Sequence, residues 1–430
     1  MNFTQKGIFS LFGKFLGAIL ALLISMVLAR VIGVNGIGQY QLVISTQVVV
    51  ITILAMGFGN ASIYFINSKK IDKKLVVTTL FKLFSFISLF LAIILGFCLV
   101  YFVDYFGELS KSSIFIFVIG SASLLMYNIL MPTLYASLEV VKLQVLSLIS
   151  NTVVLIGIGF TYLFSVLDIN GIISIVGLGN VLVLSILLYY LRNYFEFSKK
   201  FETSLMRKLF LYGIKISATN LVFVLSSNIV IFVMKYLLED GFKAVGLFSR
   251  ATAIANMFLI IPATLGPLFY SKWAGYSQES LHKNVEKTLN LMFLLTIFCA
   301  FFILLFGEKI LIILYGQEFI GAKVSLNILS ISVIFSSLTI ILTNVFSGIG
   351  KPLITFKVFI VSLLLTTLSS LFLINYFGIE GAAISILLGI MYNTVALIYF
   401  CKKEINLKII NIFYIDKNQI KKIVLDLKSK

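Results

Sequence analysis

Twelve apolar runs follow one another along the chain, at 8–32, 40–66, 75–102, 113–137, 143–164, 171–191, 209–237, 245–270, 288–306, 322–346, 353–375 and 381–400. A hydrocarbon layer ~30 Å thick is crossed by about 20 apolar residues in a helix, so each run is the length of one crossing. A membrane β-barrel needs ~10-residue segments that alternate apolar and polar. The run at 75–102 is largely apolar on both faces and fits no such strand. Only 12% of the residues are charged, against roughly 25% in a soluble globular domain, which excludes a soluble cytosolic enzyme. The stretch after Lys6 is too long for the apolar core of a signal peptide and has no small-residue cleavage site at its end, so it reads as the first membrane helix.

The few charges are strongly segregated. With twelve crossings both termini lie on one side, and the connectors there, with the tail, hold 24 of the Lys and Arg residues against six in the opposite connectors. Cytoplasmic segments carry the excess of Lys and Arg, which places both termini in the cytoplasm. All outer loops are short, leaving no external domain. His282 and the cysteines Cys98, Cys299 and Cys401 are widely scattered, so neither a metal site nor a disulfide framework is expected.

An internal repeat divides the chain. The turn Asn35-Gly36-Ile37-Gly38-Gln39-Tyr40 corresponds to Lys243-Ala244-Val245-Gly246-Leu247-Phe248, pairing Gly38 with Gly246. Near the sixth and twelfth helices Gly171 pairs with Gly381 and Gly179 with Gly389. Six helices per copy make the copies parallel, related by an axis along the membrane normal, and such halves flank a cavity and rock to alternate access. The expected fold is therefore all-α: a polytopic membrane protein with twelve transmembrane helices in two pseudosymmetric six-helix lobes around a central cavity. Residues 1–192 form the N-lobe with helices 1–6, 193–207 a cytoplasmic linker, 208–400 the C-lobe with helices 7–12, and 401–430 a basic amphipathic cytoplasmic tail suited to an anionic leaflet.

Motifs spread along this frame resemble those of a known family. The first outer turn, Ala29-Arg30-Val31-Ile32-Gly33-Val34-Asn35-Gly36-Ile37-Gly38-Gln39-Tyr40, is similar to the opening signature of the polysaccharide transporter family, in the superfamily that also holds the multidrug and toxin extrusion transporters. Tyr212-Gly213, Ala244-Val245-Gly246-Leu247-Phe248-Ser249, Leu314-Tyr315-Gly316-Gln317-Glu318-Phe319, Gly348-Ile349-Gly350-Lys351-Pro352 and Gly378-Ile379-Glu380-Gly381-Ala382-Ala383 continue the resemblance. It implies a non-enzymatic flippase of the bacterial inner membrane that carries undecaprenyl-pyrophosphate-linked repeat units of O-antigen, capsule or a related glycan. Membrane lipids, a polymerase and other polysaccharide-assembly proteins are the implied partners, with no nucleic acid. The chain departs from the family where Lys215 follows Tyr212-Gly213 and where Ser227-Asn228-Ile229 replaces an acid-containing pair. Two alternatives stand beside this reading: a cation-coupled drug or toxin antiporter of the same superfamily, and a membrane glycan polymerase.

No acid falls at a helix centre, whereas proton and sodium sites in transporters commonly use intramembrane carboxylates. No cofactor is expected, and coupling to an ion gradient stays open through backbone or Asn oxygens. Lys14, Lys82, Lys215 and Arg250 do lie within helices, where a charge costs about 2.5–3.5 kcal/mol on the insertion scale. Lys14, Lys215 and Arg250, with Arg30 at the outer end of helix one, are the candidates for a cationic cavity that holds a pyrophosphate or an acidic sugar. Snorkelling accounts equally for Lys14 and Lys215, and interfacial anchoring for Arg30. At 100° per residue Lys215, Thr219 and Ser226 share one face of helix seven, and Ser332, Ser336, Thr339 and Thr343 share one face of helix ten. Both stripes suit a cavity wall, and both suit hydrogen bonding between packed helices. Gly13, Gly17 and Ala21 read as a close-packing seam, and Pro262 and Pro267 as a bend.

Overall fold

The structure is a computed structural model that describes residues 3–67, 69, 71–136, 140–163, 168–196, 202–273, 278–408, 410 and 412. The chain order is α1 (Phe3–Ala55), α2 (Phe58–Asn67), α3 (Lys73–Tyr101), α4 (Val103–Phe106), α5 (Lys111–Leu130), α6 (Pro132–Ala136) and α7 (Val140–Leu163). It continues through α8 (Ile169–Leu191), α9 (Thr203–Leu237), α10 (Gly241–Met257), α11 (Ile260–Trp273), α12 (Gln278–Tyr315), α13 (Lys323–Gly348) and α14 (Pro352–Ile405). Among the described residues eight helices are long and apolar enough to cross a membrane, nine if the bent pair α10 and α11 counts as one. This is an all-helical, multi-pass membrane protein, and rings such as Phe86, Phe298 and Phe372 stand exposed where lipid would meet them.

Two of the helices are far longer than one crossing. α1 has 53 residues and α14 has 54, about 80 Å each at 1.5 Å per residue. Each contains one non-helical residue, Gly33 (φ 64°, ψ −173°) and Gly378 (φ 55°, ψ −126°). A side chain at those angles is sterically forbidden, so glycine alone sets both breaks cheaply. They fall where the apolar runs separate, at 32–40 and 375–381.

The bend between α10 and α11 is 52° and has a local cause. Pro262 offers no N–H to the carbonyl of Phe258, and its ring collides with that carbonyl. The helix therefore stops at Met257, Leu259 bonds back to Asn256 in a tighter turn at 3.1 Å, and α11 resumes with Pro262 in its first turn. Pro267 has no described side-chain environment.

Three helices, α3, α5 and α8, start on side-chain caps: the Asp72 carboxylate accepts from the Lys74 N–H at 3.0 Å, Ser110 from Ser113 at 3.2 Å, and Asp168 from Gly171 at 2.7 Å. α9 begins at Thr203, inside the segment read as a linker. At the other extreme, the chain after α14 folds back on α12: Glu286 accepts from the Lys408 N–H at 2.7 Å, and Asn290 donates to the Ile412 carbonyl at 2.9 Å. Leu407 and Ile412 are buried in the same core cluster as Val285 and Leu289. The tail beyond 412 lies outside the described residues.

The repeat-related glycines meet each other's helices. A Cβ on Gly38 would overlap the carbonyl oxygen of Phe242, and a Cβ on Gly246 would overlap that of Val34. Phe242 stands to Val34 as Gly246 stands to Gly38, at the same sequence offset. The contact is thus reciprocal between α1 and α10. Gly57 and Gly213 mark a second close approach: a Cβ on Gly57 would overlap the carbonyl oxygen of Gly213, and one on Gly213 would overlap that of Met56.

Candidate functional site: a polar cavity in the second half

α9, α10, α13 and both segments of α14 surround a cavity made of two connected volumes. The outer one, about 1140 Å³, is lined by Lys215, Thr219, Asn220, Thr343 and Asn344 and opens beside Gly350, Lys351 and Pro352. The inner one, about 280 Å³, is lined by Ser226, Asn256, Ser332, Ser336, Thr366 and Asn393. Phe223, Thr339, Ile340 and Phe359 border both and form the waist between them. Lys351 at the mouth pairs with Glu404 near the end of α14, so the cavity opens at the end of the molecule where α14 finishes.

Both polar stripes face this space. Half of their six hydroxyls are satisfied by their own helix: Ser226 donates to Val222 O at 2.9 Å, Ser332 to Leu329 O at 2.6 Å and Thr343 to Thr339 O at 2.8 Å. Such back-bonding keeps a hydroxyl content at the wall of a cavity without crossing to a neighbour. Thr339 does cross, sharing a hydrogen bond of 2.9 Å with Thr394 of α14. It therefore belongs both to the wall and to the packing of α13 on α14.

The four candidate cations do not converge. Lys215 is exposed and lines the outer volume. Arg250 lines neither volume; it is 6% exposed in the seam between α1 and α10, where its Nη1 donates to the Ser25 carbonyl at 3.3 Å and to the Ser25 hydroxyl. Its guanidinium lies 5.5 Å from the Tyr315 ring centroid, and the Ser25 hydroxyl donates to the Tyr315 hydroxyl at 3.2 Å. Nε of Arg250 has no partner, and no carboxylate pairs with this arginine among the described residues. Arg30 donates to the Ile313 carbonyl in the last turn of α12, where helix carbonyls lack intrahelical partners and cations are favoured. Lys14 is exposed on α1 and lines neither volume.

The sequence reading missed the amides. Asn220, Asn256, Asn344 and Asn393 all border the cavity, and each interrupts a largely apolar stretch of helix, Asn256 as the one amide of α10. That isolation is the available signal, because an amide in such a setting is costly unless something pairs with it. Among the described residues no group of three His, Cys, Asp or Glu side chains is placed to hold a metal ion.

Fold and cavity define a class: helical membrane proteins with a polar chamber set among their crossing helices. The chain belongs to the polysaccharide biosynthesis protein family, whose model matches residues 3–270; the model of the lipid II flippase MurJ matches residues 267–427. A Shigella flexneri protein whose name assigns it to O-antigen transport is 26% identical over 49% of this chain and 51% of its own length. A low-salt glycan biosynthesis flippase by name, from Haloferax volcanii, is 28% identical over 37% and 34%. A capsular polysaccharide biosynthesis protein of Staphylococcus aureus is 23% identical over 50% and 55%. The chain thus spans about half, or less, of the length of these curated relatives. Among solved structures, an inward-facing multidrug resistance MATE family transporter of the MOP superfamily superposes with a TM-score of 0.76, covering 93% of this chain and 98% of that one at 13% identity. A MOP superfamily transporter from Pyrococcus furiosus gives 0.66 over 94% and 95% at 14% identity. These similarities establish the fold.

Proposed function

We propose that this protein is a flippase that moves undecaprenyl-pyrophosphate-linked oligosaccharide repeat units across the bacterial inner membrane by alternating access. The observation that carries the reading is the cavity of the second half, with Lys215 at its mouth and hydroxyls and amides along its wall. A glycan pyrophosphate needs a cation for its anion and hydrogen-bonding groups for its sugars, while the polyprenyl chain stays in lipid. Family membership and the names of the relatives support the same reading.

The architecture proposed for this task is twelve crossings in two six-helix lobes. α1 and α14 each count as two crossings divided at a glycine, α10 with α11 counts as one, and α7 supplies the twelfth. The reciprocal contacts of Gly38 and Gly246 supply the axis. By the distribution of lysines the mouth beside Lys351 is cytoplasmic, as are both termini, and the Gly38–Gly246 seam is at the outer end. In the opposite state the halves part at that seam, which frees Arg250 to meet the pyrophosphate as Lys215 gives it up. Lys14 at the inner end and Arg30 at the outer end flank the path. A polymerase and other assembly proteins consume the product.

The test is a deletion strain scored for repeat-unit lipid in each leaflet. Accumulation in the inner leaflet is expected, restored by the wild-type gene and by Lys215→Arg but not by Lys215→Ala. Unchanged exposure of repeat units in the deletion, in a strain without a second flippase, would remove the reading. The cation-coupled antiporter is favoured by one observation, the likeness of the fold to MATE transporters. It predicts ion-driven efflux from vesicles. Against it stands the absence of any carboxylate among the described residues bordering either volume of the cavity.

A further inference from the structure

The inner volume is more specific than a polar wall needs to be. Asn256, Ser336, Thr366 and Asn393 reach it from α10, from α13 and from the two segments of α14. None of their side chains makes a hydrogen bond among the described residues, whereas neighbouring Thr252 and Ser332 are satisfied by their own helices. Asn393 is 7% exposed, and its Oδ1 is buried with no partner. An unpaired amide is expensive in a membrane protein, and four free groups from four helical segments around one space point to a ligand that pairs with them.

The chemistry of that ligand follows from what is missing. Lys215 and Lys351 border only the outer volume, and among the described residues no charged side chain borders the inner one. A carboxylate taken there would lose its water and find no cation. A bare cation would likewise find no counter-charge, and the space of about 280 Å³ holds roughly nine waters at ~30 Å³ each, far more than one ion. A neutral ring carrying hydroxyls or an acetamido group exchanges donors and acceptors with Asn, Ser and Thr at no charge cost. At the waist, the rings of Phe223 and Phe359 have centroids 6.1 Å apart and an interplanar angle of 34°. They offer an apolar surface for the C–H face of such a ring.

We infer that the inner chamber binds one uncharged sugar residue, and that the protein thereby selects glycans with a neutral sugar at that position over those with a uronic or other acidic sugar. This rests on the flippase reading and specifies its substrate class. The experiment uses the full chain, purified in detergent, and measures affinity for three probes: farnesyl pyrophosphate, farnesyl-pyrophosphoryl N-acetylglucosamine, and the same lipid carrying glucuronic acid. The neutral sugar probe is expected to bind at least ten-fold tighter than the acidic one. Asn393→Val and, separately, Thr366→Val are expected to remove that advantage while leaving farnesyl pyrophosphate unaffected, each variant first shown to elute as the wild type does. Ser336→Arg is expected to reverse the preference. Equal affinity for all three probes overturns the chamber assignment and leaves the flippase reading standing. No affinity for any of them overturns the flippase reading and the inference with it. Stabilisation by sodium chloride over choline chloride that Asn393→Val abolishes, with sugar affinity unchanged, makes the chamber an ion site and also overturns the inference.

Discussion

Two stretches of the chain, 208 residues apart, make the same close contact and differ in what they line. Gly38 and Gly246 occupy equivalent places and do the same job, each letting the opposite helix's backbone come close. Asn256 and Asn393, at the same offsets, correspond to Val48 and Val183. Arg250 corresponds to Leu42, which is fully buried. Repetition therefore fixes where helices cross, and it leaves each half free to change the chemistry at the wall. The cavity described carries Asn256 and Asn393 where the corresponding positions earlier in the chain are valines.

The strongest way to break this comparison is at the seam. Gly38→Val and Gly246→Val each push a side chain into a backbone oxygen that has nowhere to go, at a cost of about 3 kcal/mol or more. Both should lose most of their monodisperse material in size-exclusion chromatography, and to a similar degree. A large loss in one with none in the other contradicts the reciprocal contact.

Next in size is Arg250. Its charge is buried without a carboxylate, and replacing such a group with an apolar one of similar volume is often neutral or stabilising. Arg250→Met should therefore leave the thermal midpoint unchanged or higher, while repeat-unit transport in cells falls at least ten-fold. Transport at wild-type rate would make this arginine a packing residue of the seam.

A smaller effect tests another strut between the halves. The Tyr105 hydroxyl donates to the Phe232 carbonyl at 2.9 Å, and burial pushes its pKa up to about 12 from an ordinary 10. Tyr105→Phe should cost about 1 kcal/mol. The folded phenol holds its proton more tightly than the unfolded one, so its contribution is complete below pH 10 and is lost as pH rises toward 12. Thermal melts across that window should show a wild-type decline that Tyr105→Phe lacks. The smallest change is expected from Ser226→Ala and Ser332→Ala, whose hydroxyls already serve their own helices. Transport within two-fold of wild type is the expected result, and a ten-fold loss would move both into direct contact with the glycan.

Much of the frame was legible in the sequence because its signals are local. Apolar run length marks the all-helical, multi-pass character, and Gly33 and Gly378 break helices where the runs part. The stripes of α9 and α13 are legible too, since helical phase alone puts Thr219 and Ser336 on one side. The position of Arg250 was not legible. Nothing within its own helix says that it faces Ser25 and Tyr315 across a seam rather than Lys215 across a cavity. Arg30 is similar, for its partner carbonyl at Ile313 is 283 residues away. Asn256 and Asn393 escaped because each is solitary, and a chamber built from one group per helix leaves no periodicity to read.

The fastening of α12 has a consequence for the order of assembly. Glu286 and Asn290 take their partners from Lys408 and Ile412, each 122 residues further along the chain. During synthesis α12 enters the bilayer long before those partners leave the ribosome, so these two contacts are among the last to form. Insertion of this half proceeds from one end to the other, but its locking does not: the clasp that holds α12 closes only after α14 has been laid beside it. A ribosome stalled between residues 315 and 405 would hold α12 already made, with α14 incomplete and the clasp to Lys408 and Ile412 still undone.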